Sequence, residues 1–353
     1  MHNPVKVFIC SITLGLSLVV TINSLAHADV SSLTTSPVSV NLSIKPGSSS
    51  TTTLEVMNNS SSPVNINLKL ETFAGFGQTG QAKIFPIALN NASLGWVKFS
   101  KKNIVAQPGV WEPVKMTINL PANASLGYYY AVLFNPIIPA SAPGKHVTIV
   151  RSANAVLVLV DTHSTNESRA LSLSSFTSLK GIYEYLPASF SVIVHNTGNI
   201  YLAPEGNIYI SRDSNFHSVI ATLNLNRGGG NVLPNSKRVF TAKWNDGFPV
   251  YQPKLVNGQP VTSKGGPVEQ LNWNFSKISK LRFGKYYAQV TLVYSNGIRD
   301  IPITAVVSFW VIPWELMLIS FILLLVLLVG AWSLGKLVAK NAIKISNHIK
   351  KIK

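Results

Sequence analysis

Val64-Asn65-Ile66-Asn67-Leu68-Lys69-Leu70 (VNINLKL) places an apolar side chain at every second position. Successive side chains of an extended chain point to opposite faces, so this alternation predicts a strand with one face in a core and the other in water. The same pattern extends outward from it. Val38 to Ile44 alternates ahead of the turn Lys45-Pro46-Gly47-Ser48, Thr53 to Met57 follows, and Asn58 to Pro63 turns the chain into residues 64 to 70. These segments read as half-buried antiparallel strands. Asp29 to Pro37, rich in Ser and Thr, has little to bury and reads as a flexible leader. Thr72 to Ser93, rich in Gly and Ala, reads as a long loop with at most one short element.

Further along, Trp96 to Phe99, Val114 to Leu120 and Tyr128 to Phe134 read as strands, and Asn154 to Asp161 (NAVLVLVD) is apolar enough to be covered on both faces. Short strands separated by Pro and Gly turns predict a β-sandwich over residues 36–162. The segment Pro121 to Gly127 ahead of an aromatic strand resembles the turn of bacterial immunoglobulin-like sandwiches. Polar residues 163–170 read as a linker. A second immunoglobulin-like sandwich is expected over 171–311, with strands at Phe190 to Asn196, Gly206 to Ser211, Val219 to Leu223, Arg238 to Trp244, Phe283 to Tyr294 and Ile303 to Val311. Within it, Gly228-Gly229-Gly230 reads as a flexible turn and Asn245 to Glu269 as a long polar loop. A weak internal repeat is visible. Pro46-Gly47-Ser48 is echoed by Pro234-Asn235-Ser236, and Leu126 to Ala131 (LGYYYA) by Phe283 to Ala288 (FGKYYA).

Leu316 to Gly335 (LMLISFILLLVLLVGAWSLG) is uncharged and as long as a bilayer is thick, so residues 312–335 predict one transmembrane α-helix. Trp310 and Trp314 before it and Trp332 and Lys336 at its far end are the residue types that settle at membrane interfaces. Residues 336–353 hold six lysines and no acid, which predicts a cytoplasmic tail with the sandwiches outside. At the other end, Lys6 precedes an apolar run, and Ala26 and Ala28 supply the small residues of a cleavage site. Residues 1–28 therefore read as a signal peptide, an uncleaved anchor being the alternative. Cleavage would remove Cys10, the one cysteine, leaving a domain pair that folds without disulfides.

Of 30 Lys and Arg, Lys6 precedes residue 29 and six follow Gly335, leaving 23 outside; of 13 acids all but Glu315 lie there, so the exposed part is +11. Outside a cell this balance excludes nucleic acid as the natural partner and favours peptidoglycan carrying anionic polymers, or lipid headgroups. Catalytic chemistry is sparse. The histidines at 146, 163, 195, 217 and 348 form no H-x-x-x-H pair, no G-x-S-x-G elbow occurs, and Asp213-Ser214-Asn215 with His217 lacks the Gly and distal Glu of a calcium loop. No catalytic residue, metal or cofactor is expected. Trp96, Trp111, Trp244 and Trp273 offer flat faces for glycan, and Trp111 and Trp273, in or beside predicted loops, are the candidate binding residues.

The ordered set of signal peptide, Pro-Gly turn, PANASLGYYY at 121–130, HNTGN at 195–199, LPNS at 233–236, one span and a Lys-rich tail resembles the WxL-interacting cell-surface proteins of Gram-positive bacteria. The resemblance implies two immunoglobulin-like domains, the first binding peptidoglycan and the second a host or partner protein. No L-P-x-T-G motif precedes the span, so the helix itself is the expected anchor. The sequence thus reads as a membrane-anchored bacterial surface binding protein that contacts wall polymers or another surface protein. A PapD-like periplasmic or surface chaperone, which would normally lack the anchor, and a glycan-binding accessory protein are the alternatives.

Overall fold

The computed structural model describes residues 33–85, 92–137, 154–263 and 265–352, with side chains through residue 338. The expected signal segment with Cys10, Ala26 and Ala28 lies outside these residues, as do His146 and the side chains of the lysines beyond Lys336.

The alternating stretch at 64–70 opens the longest strand of the first sandwich. Its strands are β1 (Leu33–Ser36), β2 (Ser39–Ser43), β3 (Ser49–Asn58), β4 (Val64–Phe76), β5 (Gln81–Phe85), β6 (Val97–Phe99), β7 (Asn103–Ala106), β8 (Trp111–Asn119), β9 (Tyr128–Pro136) and β10 (Asn154–Asp161). One sheet has the order β1-β3-β8-β6; the other runs β2-β10-β9-β4-β5, with β7 paired to β4. Between them Leu54, Val56, Val114, Met116 and Ile118 meet Ile66, Tyr130, Val132, Phe134, Val156, Val158 and Val160, all fully buried. Each such aliphatic or Phe side chain taken from water contributes roughly 1.5–3 kcal/mol, and the two-residue period sets which face is buried.

The second sandwich comprises β11 (Leu171–Ser178), β12 (Ile182–Tyr183), β13 (Ala188–Asn196), β14 (Glu205–Ser211), β15 (Val219–Leu225) and β16 (Lys237–Trp244). After an insertion come β23 (Gly284–Ser295) and β24 (Asp300–Val311). The insertion holds six short strands, β17 (Val250–Pro253), β18 (Leu255–Val256), β19 (Gln259–Pro260), β20 (Thr262–Ser263), β21 (Gly266–Pro267) and β22 (Glu269–Asn272). Sheets β11-β13-β16 and β12-β24-β23-β14-β15 face each other. Their core includes Phe190, Val192, Val194, Ile208, Ile210, Val290 and Phe309 around Trp244, whose ring meets Tyr286 edge-on at 5.1 Å. Strands and the two-sheet layering define an all-β, immunoglobulin-type architecture followed by α1 (Trp314–Ile352), separated from β24 by Ile312 and Pro313 alone. Its segment Trp314–Val338, 25 residues, is long and apolar enough to cross a membrane, and its most apolar window is in no part buried by protein.

Several expectations are corrected. Leu33–Ser36, within the expected leader, is β1 and pairs antiparallel with the end of β3, burying Leu33. The first alternating strand, β2, is parallel to β10, not antiparallel to its sequence neighbours. Among the described residues of Thr72 to Ser93, loop is the minor part: β4 continues to Phe76 and returns as β5. Asn245 to Glu269 is likewise built of paired strands, β17-β22, β18-β19 and β20-β21. The glycine turn at 228–230 is pinned: the Asn226 side chain donates to Pro204 and Gly230 carbonyls and accepts from the Gly230 amide.

Candidate binding surfaces

The sandwiches meet across the outward face of the β2-β10-β9-β4-β5 sheet. Strand residues alternate, so while Tyr130, Val132, Val158 and Val160 face the core, Tyr129, Ala131, Leu157 and Leu159 face out. There they join Phe73 and Ile84 under Tyr201 and Leu233 of the second sandwich. This double coverage is why β10 is apolar almost throughout. The Tyr201 amide donates to the Tyr129 hydroxyl at 3.0 Å, and burial drives that hydroxyl's pKa upward.

The β4-β5 hairpin reaches across the joint. The Val239 amide of edge strand β16 donates to the Gln78 carbonyl at 2.7 Å. Gly75 lies so near β16 that a Cβ there would meet the Ser236 Cβ at 2.8 Å, which explains the glycine. Arg238 packs against Gly80 and donates to the Asn231 carbonyl at 2.6 Å, and Asn231 donates to Asn41 of the first sandwich at 3.2 Å.

A buried ion cluster locks the connecting segment. Arg169 pairs with Asp161 and, at 3.0 Å, with Glu167; their side chains are 13 %, 9 % and 9 % exposed. Burial alone would raise the Asp161 carboxyl, but the Arg169 hydrogen bond and the His163 amide outweigh it and hold its pKa below the usual value. Asp161, His163 and Glu167 form the single group of three ligating side chains among the described residues, their ligand atoms within 4.8 Å of one another. The guanidinium already compensates both carboxylates, so the arrangement works as a clasp.

The turn motifs that carry the family resemblance build this joint. In HNTGN, buried Asn196 donates to the Ile200 and Val232 carbonyls and accepts from the Gly198 amide. Gly198 leaves no room for a Cβ, which would stand 2.1 Å from the Ser168 carbonyl oxygen, and Asn199 accepts from the Ser168 amide. In LPNS, Asn235 adopts φ 54° and its amide donates to the Asn196 carbonyl, while Leu233 enters the apolar contact.

The first sandwich contains the same construction at its other pole. Buried Asn58 donates to the Ser62 and Ala106 carbonyls and accepts from the Ser60 amide, and Gly109, at φ 70°, donates to the Asn58 carbonyl. The structural counterpart of Pro234-Asn235 is therefore Pro108-Gly109, not Pro46-Gly47, which precedes β3. The echo of LGYYYA by FGKYYA does match in topology: β9 lies between β4 and β10, and β23 between β14 and β24.

The predicted tryptophans separate. Trp244 is buried in the core, and Trp96 is half-buried with its ring edge-on to Tyr128 at 4.9 Å. Trp111 and Trp273 are each 41 % exposed but lie at opposite poles. Trp111 opens β8 beside exposed Val110 and the Asn58 cage; Trp273 follows β22 at the helix end, among Tyr185, Phe248 and Phe275. Trp310 and Trp314 flank the helix start and are exposed, and Trp332 carries Lys336 over its ring at 3.6 Å. Asp213 sits in a solvated turn, accepting from Ser211 and from the amides of His217, Ser218 and Asn215, which hold its pKa down at about 2. A polar cleft of about 350 Å³ near the helix start is lined by Lys180, Tyr183, Glu184, Tyr185, Lys243 and Tyr251. Sequence reasoning missed the clasp and the Asn58 cage. The signal that could have found the latter is Asn followed closely by Ser or Gly at a strand end.

Comparison with protein-family models and with curated proteins finds no match. Among solved structures, the chain is similar to the class 5 fimbriae chaperone CfaA at 14 % identity, covering 77 % of this chain and 98 % of that one, TM-score 0.37. It is similar also to the E. coli chaperone DraB at 9 %, covering 79 % and 97 %, TM-score 0.34, and to a PapD-like domain of human CEP192 at 13 %, covering 47 % and 99 %, TM-score 0.26. The class rests on the chain's own sheets: two immunoglobulin-type sandwiches and a C-terminal apolar helix.

Proposed function

We propose that this chain is a membrane-anchored binding protein of a bacterial cell surface, of the kind the WxL-interacting proteins exemplify. Residues 1–28 direct export, Trp314–Val338 spans the membrane, the lysine-rich end stays inside and the two sandwiches stand outside. The observation that supports the reading is that the two sandwiches carry the same Asn-built pole. The second sandwich seats its neighbour on the pole built from Asn196 and Asn235; the first carries the same pole, built on Asn58 and Gly109, with Val110 and Trp111 exposed beside it. A seat used internally in one unit recurs in the other, and there we read exposed Val110 and Trp111 as the contact for an outside partner.

The ligand class we assign is anionic wall polymer, because the outer part carries +11. Binding rather than turnover is favoured by how the acids are engaged: Asp161 and Glu167 by Arg169, Asp246 by Lys280 and Arg282, Asp213 by its own turn. The test is co-sedimentation with purified wall over a salt series. Electrostatic retention falls steeply above about 0.15 M, where the screening length is near 8 Å; retention through ring stacking survives salt and drops in Trp111→Ala. No retention at low salt removes wall polymer as the ligand and leaves a surface protein as the partner.

A further inference from the structure

The insertion between β16 and β23 closes on the start of α1. The Phe248 amide donates to the Lys280 carbonyl, and the Tyr251 amide to the Leu186 carbonyl. The segment 181–183 runs beside the last residues of β24: the Trp310 amide donates to Gly181 and the Ile312 amide to Tyr183. Gly284, at the end of the insertion, is registered opposite Val311. Tyr185 bridges the two, its ring 6.3 Å from Trp273 and its hydroxyl beside Glu315 and the Leu316 main chain.

Apolar side chains gather at this pole and point outward. Phe275 is 67 % exposed, Ile278 60 % and Phe283 50 %, with Trp273 and Leu281 also exposed. Leaving such a set in water is costly, because apolar surface gains free energy when it is taken out of water. Trp273 and Phe275 stack at 6.3 Å, and Phe248 supports both at 5.8 and 5.5 Å, so the rings are held in place. Asn274 caps the 3₁₀ turn Phe275–Lys280 by accepting from the Ser276 amide. Charge around the rings is basic: Lys277 and Lys280 lie in the turn itself and Arg282 follows it, with Asp246 paired to Lys280 and Arg282.

We infer that Trp273, Phe275 and Ile278 form a second membrane contact, seated in the headgroup layer of the bilayer that α1 crosses. The inference rests on the spanning role proposed for α1. The occupant is the bilayer because the patch adjoins the residues at which the helix leaves the protein, and because rings interleaved with Lys and Arg are what the headgroup layer accepts. Trp273 is thereby assigned to lipid and not to glycan.

The full chain with Cys10→Ser, reconstituted in vesicles, tests this with one fluorophore at a time on Ser279→Cys, Leu325→Cys or Ile298→Cys. Ile298, 93 % exposed, lies in the turn between β23 and β24 at the opposite pole. A lipid-borne quencher is expected to quench the labels at 279 and 325 and to spare 298. Quenching at 279 should persist in about 1 M salt, where the screening length is near 3 Å. It should be lost in Phe275→Glu with Ile278→Glu while 325 stays quenched. A label at 279 that behaves like 298 while 325 is quenched overturns the second contact alone. An unquenched 325 overturns the spanning role and this contact with it.

Discussion

Replacing Arg169 by Leu leaves Asp161 and Glu167 facing each other, each side chain only 9 % exposed. Removing one partner of a buried ion pair costs about 3–5 kcal/mol, because the remaining charge is uncompensated. The loss has a ceiling, since a carboxylate can escape by taking a proton. Neutralising a group of pKa near 4 costs about 4 kcal/mol at pH 7 and about 1.4 kcal/mol at pH 5. Arg169→Leu is therefore expected to lose about 3–4 kcal/mol at pH 7, shrinking to about 1–2 kcal/mol at pH 5. The intact protein behaves in the opposite sense. Its Asp161 pKa is depressed, so the clasp's contribution is present above the unfolded value of 3.8 and is lost as pH falls through the lower folded value. Thermal unfolding of both proteins in detergent from pH 5 to 7.5 reads the difference, expected at roughly 10 °C at neutral pH by the usual scaling for domains of this size. The triple variant with Asp161→Asn and Glu167→Gln should recover most of it. A deficit that does not change with pH, or no deficit at pH 7, would refute the clasp.

Gly75→Leu forces a side chain into Ser236 and should lift the β4-β5 hairpin from β16. Loss of the bond from Val239 to Gln78, worth about 0.5–1.5 kcal/mol net, should speed Val239 amide exchange by about tenfold while core amides of both sandwiches stay protected. Trp244→Ala removes a side chain that is 1 % exposed and contacts Tyr286 and Phe309, so the second sandwich should lose about 3–5 kcal/mol in urea unfolding; a loss under about 1 kcal/mol would contradict the packing. Protease added to wall-stripped cells should remove the sandwiches and spare an epitope at residues 336–353; digestion of that epitope would refute the orientation.

The sandwich core was legible because burial on one face imposes a two-residue period that needs no knowledge of neighbours. Strand direction was not, since alternation is the same for parallel β2 and an antiparallel strand. Strand β1 escaped notice because Leu33 is its sole buried apolar residue, and the insertion strands because most of their residues are exposed and bury no face. The joint was invisible for a different reason. Tyr129 and Tyr201 lie 72 residues apart and Asn41 and Asn231 190, separations that no local pattern reports. The turns HNTGN and LPNS could be recognised as turns, but that they seat the neighbouring sandwich follows only from the folded chain. The almost wholly apolar β10 gave the clearest hint that something covers its second face.

Ile312 and Pro313 are all that separates β24 from α1, and the Ile312 amide is tied to Tyr183. A flexible linker of n residues lets its cargo explore a distance growing as about the square root of n, so its ligand can be met anywhere in a broad volume. A two-residue junction bonded on one side allows no such search. The sandwiches ride on the helix as on a stiff mount, and any tilt of α1 swings the Trp111 pole along an arc set by the length of both domains. If α1 spans the membrane as proposed, capture would be confined to one layer above the bilayer, which would make the spacing between membrane and target, and not affinity alone, a determinant of what the protein holds.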